Sequence, residues 1–286
     1  MISSRSRLVK LSIHALLIIL CLPFIMPMVW MVLTSLKSDS QIYAQSATAS
    51  TLTFLKTALP HPVMWNNYPD TLKAVPFAKY VRNTLFLCLF SVLGSVFSSA
   101  LVAYGFSRIH FRCRDAIFYV MICTMALPGQ VTMIPMFVIF KSLHCYNTFL
   151  PLIIPAFFGS AFYIFLLRQF FNTIPEELSE AARIDGAGEF VIFRQIMLPL
   201  AKPALTTCAL FQFLWTWNDF FGPLIYLNNQ NKFPLAYGLQ QLYSTYGGGY
   251  TQFMAGAFIF TIPIVILFFV FQRTFIQGIA TTGLKS

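Results

Sequence analysis

From residue 11 to residue 36 the chain carries no Asp, Glu, Lys or Arg. A helix rises about 1.5 Å per residue, so roughly 20 apolar residues cross the hydrocarbon core of a bilayer. Inside lipid every backbone amide must find its partner within the segment, and a helix provides it. Five further apolar runs follow, so the sequence predicts six spans, at about 11–34, 83–105, 116–140, 148–167, 204–227 and 254–272. Pro23, Pro27, Pro128, Pro135 and Pro263 fall inside them, and each favours a bend because it removes a helical hydrogen bond. Only 10% of residues are charged and the mean hydropathy is +0.71, whereas soluble domains carry about 25% charge. The expectation is an all-α polytopic membrane protein, with residues 1–286 forming one transmembrane domain and no separate soluble one. Basic residues ahead of the first run imitate a signal peptide. The run is too long, however, and no Ala-x-Ala-like site follows, so it reads as a retained span.

Six spans put both termini on the same side, and Lys and Arg choose which. One side collects Arg5, Arg7, Lys10, Arg108, Arg112, Arg114, Arg168, Arg183, Arg194, Lys202, Arg273 and Lys285, twelve of the nineteen. The other seven are Lys37, Lys56, Lys73, Lys79, Arg82, Lys141 and Lys232. The richer side, with both termini, is assigned to the cytoplasm. This bias accounts for the net charge of +10 without a nucleic-acid partner. On the outer side lie residues 37–80, with Trp65-Asn-Asn-Tyr68, and 228–253, with Asn228-Asn-Gln-Asn231 and Gly247-Gly-Gly249. Segments of that length either serve a function or move. The second span carries Ser91, Gly94, Ser95, Ser98 and Ser99, a small-residue face that lets another backbone approach closely.

The assigned cytoplasmic loop, 168–203, holds the one long polar stretch, Glu176 to Pro199, with five of the nine acidic residues: Glu176, Glu177, Glu180, Asp185 and Glu189. It reads as two short helices. Pro175 suits a first turn, and Glu176 and Glu177 suit the positive end of a helix dipole. Asp185-Gly186 marks the turn, because glycine reaches positive φ cheaply. Phe190, Phe193, Ile196 and Met197 then recur at helical spacing toward Pro199. A side chain at position 186 would strain the turn and misplace whatever surface the hairpin presents. Docking to another protein and lying solvated on the headgroups both fit this pattern.

Glu180-Ala181-Ala182, then Gly186, Ile196 and Leu198-Pro199, resembles the EAA signature of ABC-transporter inner-membrane permeases, with every anchor in register. The resemblance implies that this loop is the coupling helix seated in a cytoplasmic ATPase subunit. It assigns ATPase coupling to Glu180, Ala181, Ala182, Asp185 and Gly186. Further stretches resemble the sugar branch of these importers: Pro27-Met-Val-Trp-Met-Val-Leu-Thr-Ser-Leu-Lys37, Trp65-Asn-Asn-Tyr68, Tyr80-Val-Arg-Asn83, and the tail Gly278-Ile-Ala-Thr-Thr-Gly-Leu-Lys-Ser286. The tail, and the lack of an extra N-terminal pair of spans, resemble the smaller permease subunit of the maltose-transporter type. The implied partners are a second homologous permease, two cytoplasmic ATPase subunits, an extracytoplasmic solute-binding protein, a sugar and membrane lipid. The implied setting is a bacterial inner membrane.

Asp219 is the one acidic residue inside an expected span, in Trp215-Thr-Trp-Asn-Asp-Phe220. An ionisable group at membrane depth is costly unless paired or wet, so it marks a functional position. Trp-Asn-Asp here also resembles the sugar-type permeases, in which the middle spans line the translocation path. Asn218, Asp219, Trp215 and Trp217 are the substrate-path candidates, with structural hydrogen bonding the competing role for Asn218 and Asp219. Aromatic faces and polar side chains together suit a sugar, which offers both C–H faces and hydroxyls.

Catalysis and cofactor binding find no footing. There is no Gly-x-x-x-x-Gly-Lys-Ser/Thr, no Gly-x-Ser-x-Gly and no His-Glu-x-x-His. Cys21, Cys88, Cys113, Cys123, Cys145 and Cys208 include no Cys-x-x-Cys, and His14, His61, His110 and His144 lack ligand spacing. No cofactor and no metal are expected. A glycerol 3-phosphate importer of the same family is the nearest alternative. A secondary transporter or channel is the rival class, and it would show intramembrane charge pairs or inverted repeats.

Overall fold

The computed structural model describes residues 2–47, 58–245 and 249–283. Residues 48–57 of the expected outer segment, Gly247 and Gly248, and the last three residues of the tail lie outside this range. Among the described residues every regular element is helical: α1 (Ile2–Ser35), α2 (Asp39–Ala47), α3 (Asn67–Ala74), α4 (Phe77–Arg108), α5 (Arg114–Cys123), α6 (Gly129–Ser142), α7 (Leu150–Ile153), α8 (Ala161–Phe171), α9 (Glu177–Ile184), α10 (Glu189–Ile192), α11 (Leu198–Leu200), α12 (Lys202–Trp217), α13 (Phe221–Tyr226), α14 (Leu235–Thr245) and α15 (Tyr250–Gly283). A π turn at Phe193–Met197 joins α10 to α11.

Among the described residues four stretches are long and apolar enough to cross a bilayer alone: Val9–Ser35, Phe77–Arg108, Leu150–Phe171 and Tyr250–Gln272. Two bent pairs raise the number to six when each counts as one span. In the first pair, Arg114–Ala126 and Gly129–Ser142 meet at 98°, so the run at 116–140 is no straight rod. Pro128 explains this. It has no N–H to donate, and it pushes Leu127 out of the helical region, to φ −79° and ψ 117°. The second pair, Glu189–Leu200 and Lys202–Trp217, bends by 80° at Ala201.

The run at 204–227 also differs from expectation. Its helix ends at Trp217, and α13 restarts only at Phe221. Asp219 therefore lies in a break between two helices rather than within a continuous span. Pro223 accounts for the break, since its ring would clash with the carbonyl four residues back, that of Asp219. The Asp219 carboxylate instead accepts the Gly222 N–H at 3.0 Å.

The chain divides into two compact units, 1–77 with 239–263 and 78–238 with 264–286. In the first, buried Asn67 donates from Nδ2 to the carbonyls of Ser35 and Lys37, both at 2.8 Å. The Ser35 and Tyr68 hydroxyls lie 2.7 Å apart, and the Thr251 hydroxyl donates to Asp39 at 2.9 Å. The described part of the expected outer segment at 37–77 is thus hydrogen-bonded structure.

In the second unit the core is built from α4, α8 and the elements from α10 to α12, around Tyr104, Leu167, Phe171, Phe193, Met197 and Cys208. The small-residue face of α4 receives the backbone of residues 156–160. The Ser98 hydroxyl lies 3.2 Å from the Ala156 carbonyl, and Ser99 Oγ accepts the Ser160 N–H at 3.0 Å. A Cβ on Gly94 would meet the Phe157 ring at 2.6 Å. Gly94→Val should therefore overpack this crossing and cost about 1–3 kcal/mol. A lowered thermal midpoint in detergent would register it, while Leu93→Val, at an exposed position beside it, should stay near wild type.

Candidate functional site

Two sites stand out in the second unit: the polar hairpin at 176–200 and a cavity beside the break at Asp219. The hairpin turn is closed by a Schellman motif. Gly186, at φ 83°, donates to the Arg183 carbonyl at 3.0 Å, and Ala187 donates to the Ala182 carbonyl at 2.9 Å. These two bonds satisfy carbonyls that the end of α9 would otherwise leave unpaired. The motif brings the ends of its own loop together, and Ala182 and Ala187 both pack against the hydrophobic core. No described atom outside the turn approaches a Cβ placed on Gly186, so glycine is needed there for backbone conformation rather than for space.

The hairpin has two faces. Ser179, Ile192, Phe193 and Met197 are buried. Glu180, Ala181, Asp185 and Gly186 are exposed, and Ala182 is half-buried. Ile184, at 86% exposed, and Phe190, at 61%, stand on the outer surface. The expected apolar face of Phe190, Phe193, Ile196 and Met197 is therefore split, with Phe190 turned outward. The π turn at 193–197 winds by i→i+5 bonds, and it sets Ile192 and Met197 inward together.

Arg183 donates from Nε to Glu189 Oε1 at 2.8 Å across the turn, and the Tyr104 hydroxyl of α4 donates to Glu189 Oε2. The Arg183 bond, seconded by the Tyr104 hydroxyl, holds the Glu189 carboxyl below the usual carboxylate range. The same bond to Glu189 raises Arg183. Below the hairpin, two arginines exchange caps. Buried Arg108 ends α4 and donates to the carbonyls of Phe171, at 2.7 Å, and Ile174. Arg168, in the last turn of α8, donates to the Phe106 carbonyl at 3.1 Å and lies over the Phe118 ring at 3.9 Å. Each cation sits at the negative end of the other's helix. In the sequence these residues register only as topology markers, and their roles as caps depend on contacts across 62 and 63 positions.

A cavity of about 1180 Å³ opens beside the Asp219 break. Of the four substrate-path candidates, Trp215, Asn218 and Asp219 line it. Trp217 does not: it is 2% exposed and stacks on Phe213 with centroids 5.4 Å apart. Tryptophans two residues apart on a helix point to different sides, so only one of the pair can face the cavity. Phe162, Tyr163, Phe211 and Phe220 add rings, and Gln130 and Gln212 add amides. Gln130 and Gly129 come from the bend at Pro128, which sequence periodicity does not bring near Asp219. A smaller cavity of about 300 Å³ shares Ser160, Gln212, Trp215 and Asp219 with the first. Among the described residues no His, Cys, Asp or Glu cluster could hold a metal ion.

An all-helical polytopic chain with a broken helix lining a cavity has the build of a membrane transport subunit. Residues 91–281 match the family described as binding-protein-dependent transport system inner membrane component, and the chain belongs to that family. It is 31% identical to the arabinooligosaccharides transport system permease protein AraQ of Bacillus subtilis (strain 168), over 96% of each chain. It is also 31% identical to the diacetylchitobiose uptake system permease protein NgcG of Streptomyces coelicolor, over 98% of this chain and 90% of that one. In structure it is similar to a chain in the crystal structure of a bacterial ABC transporter involved in the import of the acidic polysaccharide alginate. The TM-score is 0.75 at 27% identity, covering 95% of this chain and 98% of the other.

The protein is thus a multi-pass inner-membrane permease of an ABC importer, not an enzyme. Such a permease works with ATPase subunits, a solute-binding protein and a second permease. For the hairpin, Gly186→Val should cost about 1–2 kcal/mol, the penalty of a left-handed conformation for a side-chain-bearing residue. Gly186→Asn should stay near wild type. Limited proteolysis of the detergent-solubilised protein should cut the valine variant faster between 183 and 190.

Proposed function

We propose that this permease imports a neutral oligosaccharide or glycoside, and that the hairpin at 176–200 couples it to the ATPase. The observation that carries the sugar reading is the lining of the larger cavity. It combines aromatic faces with the amides of Gln130, Gln212 and Asn218. Among the described residues that line it there is one carboxylate, Asp219, and no Lys, Arg or His. Rings stack on the C–H faces of a sugar, and amides bond its hydroxyls. A phosphate or uronate would enter without a cation to neutralise it, and burying an unpaired charge is costly. Relatives include the sn-glycerol-3-phosphate transport system permease protein UgpE of Yersinia pestis. The lack of a basic residue in this lining weighs against that solute here.

The coupling reading rests on the exposed outer face of the hairpin. Ile184, at 86% exposed, and Phe190, at 61%, place apolar surface beside the charge of Asp185, a mixture that suits a protein partner. On this reading Glu180, Ala181, Ala182, Asp185 and Gly186 form the docking element. The hairpin and both termini lie in the cytoplasm, and the spans run at about 11–34, 83–105, 116–140, 148–167, 204–227 and 254–272. The two ATPase subunits sit below and the solute-binding protein outside. The path runs between this chain and the second permease, past Trp215, Asn218 and Asp219.

Two measurements test this. In proteoliposomes holding the whole importer, a neutral oligosaccharide should drive uptake and glycerol 3-phosphate should not. Trp215→Ala should slow that uptake about tenfold, equivalent to about 1.4 kcal/mol, while Trp217→Phe should leave it near wild type. Uptake of the phosphate alone would sink the neutral-sugar reading. Separately, Ile184→Glu should release the ATPase subunit during affinity purification in mild detergent, and its full retention would count against docking through this face.

A further inference from the structure

The C-terminal turn of α4 touches the hairpin at two points one turn apart. Tyr104, 3% exposed, reaches Glu189 at the start of the hairpin's second arm. Arg108, four residues on and on the same face of the helix, holds the Ile174 carbonyl just ahead of the first arm. Glu189 is also bonded by Arg183 from the end of the first arm, at 2.8 Å. Its carboxylate therefore joins three pieces: first arm, second arm and spanning helix. Charge-assisted bonds of this kind are short and strong, and they fix direction as well as distance. Without Glu189, the described polar bonds leave the hairpin's second arm tied to α4 only by apolar packing such as the Tyr104–Phe193 ring contact, with centroids 5.3 Å apart.

Resting on the coupling reading above, we infer that Glu189 is a positioning residue that locks the hairpin to α4, so that movement of the hairpin is delivered to the spanning helix. Arg183 keeps the two arms rigid with respect to each other, and Tyr104 takes the load into α4. Glu189 is not part of the docking face, and its loss slackens the link without removing the surface that binds the ATPase. The outcome differs from that of a docking variant: the complex stays assembled and ATP is still hydrolysed, but fewer solute molecules cross per ATP.

The test uses the whole importer in proteoliposomes, with solute uptake and phosphate release measured on the same samples. Glu189→Gln should keep wild-type amounts of ATPase subunit, hold hydrolysis within about twofold and lower solute transported per ATP at least fivefold. Tyr104→Phe, which removes one oxygen and leaves the ring packed, should do the same to a lesser degree. The double variant should be no worse than Glu189→Gln alone, because the two residues share one interaction. Wild-type stoichiometry in Glu189→Gln would overturn the inference. So would loss of the ATPase subunit from it, which would make Glu189 a structural residue of the docking face. If Ile184→Glu keeps its ATPase in full, the coupling reading itself falls and takes this inference with it.

Discussion

The exchange of caps between Arg108 and Arg168 is the interaction on which the hairpin's position depends. A helix end leaves carbonyls unpaired, and α4 and α8 both end at the base of the loop. Each arginine satisfies the other helix, so the two ends are held at one distance and in one rotation. Removing Arg108 would leave the carbonyls of Phe171 and Ile174 without the donor they share. The cost of burying the Arg108 guanidinium is offset by those two acceptors and by the dipole of α8. From this base the chain enters α9 at a fixed angle, and the Schellman turn at Gly186 returns it toward Tyr104.

Proline sets the other half of the architecture. Pro128 folds one apolar run through 98°, and Pro223 interrupts another at Asp219. Both interruptions border the larger cavity, through Gly129 and Gln130 on one side and Asn218 to Phe221 on the other. Broken backbone at membrane depth is tolerated where it is buried in protein or lines a wet cavity. The same prolines that weaken the spans as rods open the breaks that border the cavity.

The helical class and the number of apolar runs are legible because lipid leaves the backbone few options, and run length reads out directly. Gly186 is legible as well, because only one conformational demand makes glycine necessary at the end of α9. The breaks at Pro128 and Asp219 are half-legible. The prolines announce them, but bending and breaking have the same local signal, and neighbouring contacts decide between them. Trp215 and Trp217 show a different limit. Their proximity in sequence suggests a shared role, and the helix separates them into opposite environments. Arg108, Arg168, Tyr104 and Glu189 carry no local signature at all, since each acts through a partner more than 50 residues away in the chain, with Arg183 the exception at six.

The relatives sharpen what the two sites must divide between them. Permeases named for arabinooligosaccharides, diacetylchitobiose and sn-glycerol-3-phosphate align with this chain over more than nine-tenths of its length. What such chains have in common cannot encode the solute, because the solutes differ in size and charge. Any selectivity this permease exerts therefore falls to side chains that differ among these relatives and whose replacement leaves the fold intact. The cavity lining meets that condition: its amides and rings project from helices whose packing faces lie elsewhere, as the burial of Trp217 beside exposed Trp215 shows. The hairpin does not meet it. Its glycine, its two alanines against the core and its Glu189 bonds are tied to backbone geometry, so on the coupling proposed above a change there acts whatever is being carried.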